Sequence, residues 1–124
     1  MSGRKSNLFR FQNITDGDMS GDVTSIITNI QQLDNIGFQV VWTGTPVGSF
    51  DIQVSLNYTQ DEWGNVQNAG DWSSIGLTPA PAAEGSADSA YIDINQISAP
   101  WIRLIYTRTS GTGTLQGYVT AKMV

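Results

Sequence analysis

Phe50-Asp51-Ile52-Gln53-Val54-Ser55-Leu56-Asn57-Tyr58 alternates apolar and polar residues without a break. Successive side chains of an extended chain point to opposite faces. The stretch therefore predicts a strand with Phe50, Ile52, Val54, Leu56 and Tyr58 on a buried face and the polar residues in water. The same period recurs where Leu115, Gly117, Val119, Ala121 and Met123 alternate with Gln116, Tyr118, Thr120 and Lys122. Ile36, Phe38, Val40 and Trp42 form a third inward row, with Val41 and Thr43 facing the other way.

Working outward from these rows, Leu8 to Gln12 predicts a short strand with Phe9 and Phe11 on one face. Trp72 to Thr78, Ala90 to Asn95 and Trp101 to Thr109 predict three more. Thr24 to Leu33 fits a helical stripe through Ile26, Ile27, Ile30 and Leu33. Its isoleucines and threonines branch at Cβ, however, which favours a strand over Val23 to Ile30. Gly-rich turns separate the segments. Gln60 to Gly70, carrying Trp63, and Pro79 to Ser89 read as surface loops, and Ser110 to Gly113 as a hairpin joining the last two strands. About eight short antiparallel strands predict an all-β, single-domain β-sandwich over residues 8–124, either jelly-roll or immunoglobulin-like. Residues 1–7 read as a flexible N-terminal arm.

Composition narrows the chemistry. The chain has 124 residues, no Cys and no His, so a disulfide scaffold, a thiolate metal site and a Ser-His-Asp triad are excluded within it. Six Lys and Arg against 11 Asp and Glu give a net charge of −5, which cannot form the large basic face that nucleic acid requires. The basic start is not followed by an apolar run, so no signal peptide is expected. No stretch approaches the ~20 apolar residues of a membrane helix, and no membrane partner is expected. Only 14% of residues are charged, which leaves much uncharged polar surface for packing against other copies or other proteins.

Four groups of residues invite a functional reading. Asp16, Asp18 and Ser20, followed by Gly21 and then Asp22, match the first half of a calcium loop, but the twelfth position is Ile27 where a bidentate Glu is needed. The segment therefore reads as an acidic turn, and no metal or other cofactor is expected. Asp61, Glu62 and Asp71 lie near one another in sequence, but as solvated loop acids they lack the cleft that a glycosidase pair needs. Trp63 and Trp72 are candidate contacts, either with a glycan or at a protein interface. Arg103 and Arg108 sit five apart on one strand, which points them to opposite faces, and the more buried of the two needs a carboxylate or carbonyl partner, by default a structural ion pair. Arg4 and Lys5 concentrate positive charge on the arm of an acidic protein, which suits docking on an acidic neighbour.

Residues 36–124 carry a resemblance. Gly37-Phe38-Gln39-Val40-Val41-Trp42-Thr43-Gly44-Thr45-Pro46 is followed by Trp72-Ser73-Ser74-Ile75. The run Arg103-Leu104-Ile105-Tyr106-Thr107-Arg108-Thr109-Ser110-Gly111-Thr112-Gly113-Thr114-Leu115 comes last. This succession resembles small β-sandwich proteins from the structural modules of tailed bacteriophages. The resemblance implies a virion protein made in the host cytoplasm, without enzymatic activity and with no catalytic residue to assign. It implies a capsid decoration or cement protein bound to the major capsid protein or another virion protein, or alternatively a fibre or receptor-binding module that recognises host glycan. A homo-oligomer, dimer or trimer, is the expected state.

Overall fold

The computed structural model describes residues 8–30, 35–95 and 98–122, and all of its regular elements are strands. They are β1 (Leu8–Asp18), β2 (Val23–Thr24), β3 (Thr28–Asn29), β4 (Asn35–Gly44), β5 (Val47–Ser55) and β6 (Thr59–Gln60). The series continues with β7 (Val66–Asn68), β8 (Ser73–Ser74), β9 (Ala82–Glu84), β10 (Asp88–Asn95), β11 (Trp101–Ser110) and β12 (Gly113–Lys122). One sheet has the order β1-β12-β4-β10. The other runs β2-β11-β5-β8, with β3 also paired to β11 and β9 also paired to β5. Every pairing between these strands is antiparallel.

β2 and β3 share one position along β11, and β8 and β9 share one along β5. The two sheets then hold eight positions, ordered 1-8-3-6 and 2-7-4-5 along the chain. Consecutive strands repeatedly change sheets, which is the interleaving of a jelly roll. An immunoglobulin-like sandwich would keep its first two strands side by side in one sheet.

The inward rows meet between the sheets. Ile36, Phe38, Val40 and Trp42 of β4 and Leu115, Val119 and Ala121 of β12 pack in one cluster with Phe50 and Ile52 of β5 and Ile102, Leu104 and Tyr106 of β11. Trp42, Phe50 and Tyr106 form a ring series with centroids 5.2 and 5.1 Å apart. Gly48 makes this possible. A Cβ there would collide with the Thr107 carbonyl and lie 2.6 Å from the Tyr106 hydroxyl, so the glycine leaves the space that Tyr106 fills. The Tyr106 hydroxyl is buried without a partner among the described residues, and burial raises its pKa.

Several elements depart from the sequence reading. The inward row of β5 ends before Leu56, which is 76% exposed. The Ser55 hydroxyl accepts the Asn57 and Tyr58 amides at 3.3 and 3.1 Å, which turns the chain and breaks the alternation. Val23 to Ile30 is not one strand. Ser25 interrupts it, because its hydroxyl takes the Leu104 N–H at 2.8 Å in place of a backbone carbonyl. Residues 24–30 contain no helix. Trp72 to Thr78 pairs only at Ser73 and Ser74, and the chain then returns to the same edge of β5 as β9. The expected loop over Pro79 to Ser89 therefore contains a strand, and its Ala83 belongs to the core. Gln60 to Gly70 contains most of a small hairpin, β6–β7. Ser110 to Gly113 is not a hairpin turn, because β11 and β12 lie in different sheets and the segment crosses between them. Asp16 and Gly17 belong to β1, which runs on through two bulges to Asp18, so the turn falls at Met19 to Gly21 with Met19 fully buried.

Candidate functional site

Among the described residues the most exposed aromatic side chain sits on the β6–β7 hairpin, which follows the end of β5. The segment Asp61-Glu62-Trp63-Gly64-Asn65 forms its tip, and Asp61 organises it. The Asp61 carboxylate accepts the Trp63 N–H at 2.9 Å, the Asn65 N–H at 2.8 Å and the Asn65 side-chain amide at 3.2 Å. Gly64 has φ of 85° and closes the turn in a conformation that disfavours a side chain. Trp63 is left 78% exposed at the apex, and Val66 on the returning strand is 56% exposed.

The base of the hairpin is clasped to the sandwich. Asn57 donates from its side-chain amide to Asp71 at 2.9 Å, and the Asp71 N–H donates back to the Asn57 side-chain oxygen at 2.7 Å. Tyr58 is buried, 4.8 Å from the Trp101 ring and 5.7 Å from the Trp72 ring. The Arg103 guanidinium lies 4.2 Å above Trp72 and donates twice to the Gln53 side-chain oxygen, at 2.9 and 2.7 Å. Arg103 alternates with the buried Ile102 and Leu104, so this cluster covers the outer face of the β11–β5 sheet.

The two candidate tryptophans therefore do different work. Trp72 is half-buried, donates to the Ala69 carbonyl at 3.0 Å and anchors the hairpin, while Trp63 is presented. The ion pair expected for an arginine does not form at Arg103, which is held by an amide oxygen and an indole face. Arg108 donates to the Gly111 carbonyl at 2.9 Å.

Asn65 amide donation, with help from Trp63, holds the Asp61 pKa below the ordinary aspartate value. A depressed folded-state pKa stabilises the tip above the unfolded aspartate value of ~3.9, and the contribution is lost as the pH falls through the folded value. The Trp63 and Asn65 amide resonances are therefore expected to titrate together below about pH 4. Asp61→Asn should remove that transition, and an unchanged titration in the variant would refute the assignment.

The acidic segment at the start of the chain disperses. Asp16 exchanges hydrogen bonds with the Gln116 side chain, donating from its backbone N–H at 3.0 Å and accepting from the amide at 2.6 Å. The Asp18 carboxylate accepts the Ser20 hydroxyl at 2.7 Å and the Ser20 N–H at 2.9 Å, which lowers its pKa. Asp22 accepts the Arg108 N–H at 2.8 Å. Each carboxylate thus closes a different local contact. Among the described residues no group of three His, Cys, Asp or Glu side chains could hold a metal ion. Chelation by EDTA is expected to leave the melting temperature unchanged. A rise of several degrees with millimolar calcium would contradict this, since a ligand bound only by the folded state stabilises it. Arg4 and Lys5 lie outside the described residues.

No protein-family model and no curated protein matches the chain. Among solved structures, the chain is similar to the SPBc2 prophage-derived protein YomS, with 11% identity and a TM-score of 0.54. That likeness covers 97% of this chain and 98% of the other. It also aligns with a chain from the structure of infectious bursal disease virus Gx strain, at 10% identity and a TM-score of 0.45, spanning 32% of that longer chain. The first likeness is one of fold along essentially the full length of both chains.

Proposed function

We propose that the protein is a non-enzymatic structural component of a bacteriophage virion, acting as a decoration or cement protein on the assembled head. The observation that carries this reading is the likeness of fold to a prophage-derived protein, which covers 97% of this chain and 98% of the other. The surface chemistry is consistent with it. The carboxylates of Asp16, Asp18, Asp22 and Asp61 are engaged in local hydrogen bonds, and the hairpin tip presents the Trp63 ring beside Glu62. Trp63 is 78% exposed at the hairpin apex with Val66 exposed beside it, and we assign this apolar pair to contact with a protein partner.

β1 starts at Leu8, in register with Lys122 of β12, and Lys122 with Asn35 of β4. Asn35 also pairs with Asn95 of β10, so the start of β4 and the end of β10 lie at this end. The same end receives Ser55, paired with Trp101, where the chain leaves for the hairpin. The described part of β1 thus starts at the end that carries Trp63, and Arg4 and Lys5 precede it in the sequence. Deleting residues 1–7 is expected to leave folding intact, to weaken binding to particles and to flatten its salt dependence. Equal occupancy of truncated and full-length protein across a salt series would exclude a docking role for the arm.

Mass spectrometry and cryo-imaging of purified virions test the whole reading. Head decoration predicts many copies arranged with the capsid lattice. A few copies confined to the fibres would replace it with a fibre or receptor-binding role, and absence from the virion would end both. Light scattering of the free protein should give a dimer or trimer.

A further inference from the structure

The outer face of the β1-β12-β4-β10 sheet carries a depression of about 550 Å³. Arg10, Gly37, Gln39, Tyr91, Tyr118 and Thr120 line it. These residues come from all four strands of the sheet, and the register explains why they meet. Tyr118 pairs with Gln39, and Gln39 with Tyr91, so two tyrosines flank a glutamine in one row. Two strand spacings separate those tyrosine positions, about 9.5 Å along the hydrogen-bonding direction. In the next row Arg10 pairs with Thr120, and Thr120 with Gly37.

Gly37 is the floor. A Cβ there would lie 2.8 Å from the Tyr91 hydroxyl, 3.0 Å from the Thr120 hydroxyl and 3.1 Å from the Tyr91 ring. The missing side chain leaves the space that the Tyr91 ring and hydroxyl cover, so Gly37 is buried beneath them while Tyr91 remains 65% exposed.

We propose that this depression binds a saccharide, a pyranose ring with one face against Tyr91 and its hydroxyls on the polar lining. Small-ligand sites typically measure roughly 300–1,000 Å³, and this one falls within that range. An exposed tyrosine ring offers an apolar plane with a polar tip, which matches the C–H face and hydroxyl rim of a sugar. Gln39, Thr120 and both phenols can donate and accept, and Arg10 adds a fork of donors. No hydrogen bond joins these polar side chains to another described residue. Elsewhere on the surface comparable groups are engaged, as in Asp61 with Asn65 and Gln116 with Asp16. Among the described residues Arg10 is the only charged one in the lining, and its row ends in Asp93 beside Gly37, which leaves too little positive charge for a phosphate chain. The site does not depend on the virion assignment and lies apart from the Trp63 hairpin.

The test is an NMR titration of the ¹⁵N-labelled full chain with methyl glucoside, methyl galactoside, methyl N-acetylglucosaminide and methyl glucuronide. Ligands of this size are expected to bind with dissociation constants on the order of 1 mM. Saturable shifts should centre on the amides of Gly37, Gln39, Tyr91, Tyr118 and Thr120. Preference for the glucuronide would assign a carboxylate to Arg10, and preference for a neutral glycoside a hydroxyl pair, either of which supports the site. Tyr91→Ala and Gly37→Val should each weaken binding by at least about tenfold, the first by removing the platform and the second by displacing the Tyr91 ring that lies over Gly37. Tyr91→Phe should retain most of the binding, and Trp63→Ala all of it. The proposal fails if no glycoside shifts these amides at tens of millimolar or if the shifts centre on the Trp63 hairpin. It also fails if the same amides shift on raising protein concentration alone, which would make the face a contact between copies.

Discussion

Replacing Phe50 with alanine is expected to lower the melting temperature by about 10–20 °C, the largest loss from any single truncation proposed here. Phe50 is fully buried, and its ring stands between Trp42 of one sheet and Tyr106 of its own. Truncation removes the transfer free energy of the ring and leaves a cavity that cannot collapse, because its walls are β4, β5 and β11, each fixed by a backbone ladder. Such substitutions cost about 3–5 kcal/mol. For a domain of this size each kcal/mol moves the melting temperature by roughly 3–5 °C. Val41 serves as the control. It projects from the outer face of β4 at the exposed margin, so Val41→Ala should fall within about 0.5 kcal/mol of wild type. Calorimetry showing a loss below about 3 °C for Phe50→Ala would mean that the two sheets do not share the core described here.

That core was largely legible in the sequence. The rows Ile36-Phe38-Val40-Trp42 and Leu115-Gly117-Val119-Ala121 alternate because each strand has one face on the other sheet, and a period of two records that directly. The eight segments marked by alternation and turn residues correspond to the eight positions of the jelly roll. What alternation does not encode is which strand becomes whose neighbour. Ser110-Gly111-Thr112-Gly113 looks like any tight hairpin, yet it passes from one sheet to the other. The choice is made by long-range pairing, here β11 with β5 and β12 with β4. The short edge strands were illegible for a related reason. Ala82-Ala83-Glu84 has little strand propensity, and it is extended because Val47 to Ser49 of β5 offer an unpaired backbone edge. Legibility of the surface followed the same division. Asp61-Glu62-Trp63-Gly64-Asn65 carries its turn chemistry locally, so an exposed Trp63 could be anticipated. The depression around Gly37 could not, because Arg10, Gly37, Tyr91 and Tyr118 are brought together only by the order of four strands.

The hairpin yields the second large effect. Trp63→Ala is expected to weaken binding to assembled particles by about thirtyfold or more, the usual consequence of truncating a tryptophan anchor at an interface. The fold should not notice the change. Trp63 is 78% exposed, and its hydrogen bond to Asp61 comes from the backbone N–H, which alanine keeps. Stability within about 0.5 kcal/mol of wild type is therefore expected, which separates a binding defect from misfolding. Trp72→Ala should reduce particle binding by a different route. That ring supports Tyr58 and carries the Arg103 guanidinium, so its loss frees the base of the hairpin and lowers stability as well. Trp63→Phe should keep part of the affinity, because a smaller aromatic ring still fills a groove made for an indole. The hairpin also offers a reason for its own rigidity. Asp61 fixes the apex and the Asn57–Asp71 pair closes the base, so little conformational freedom remains to be lost when Trp63 docks. Loosening the apex with Asp61→Ala should thus weaken particle binding even with the indole intact. Equal particle occupancy for wild type and Trp63→Ala, measured by co-sedimentation at matched concentrations, would remove the hairpin from the interface and move the search for the contact to another face.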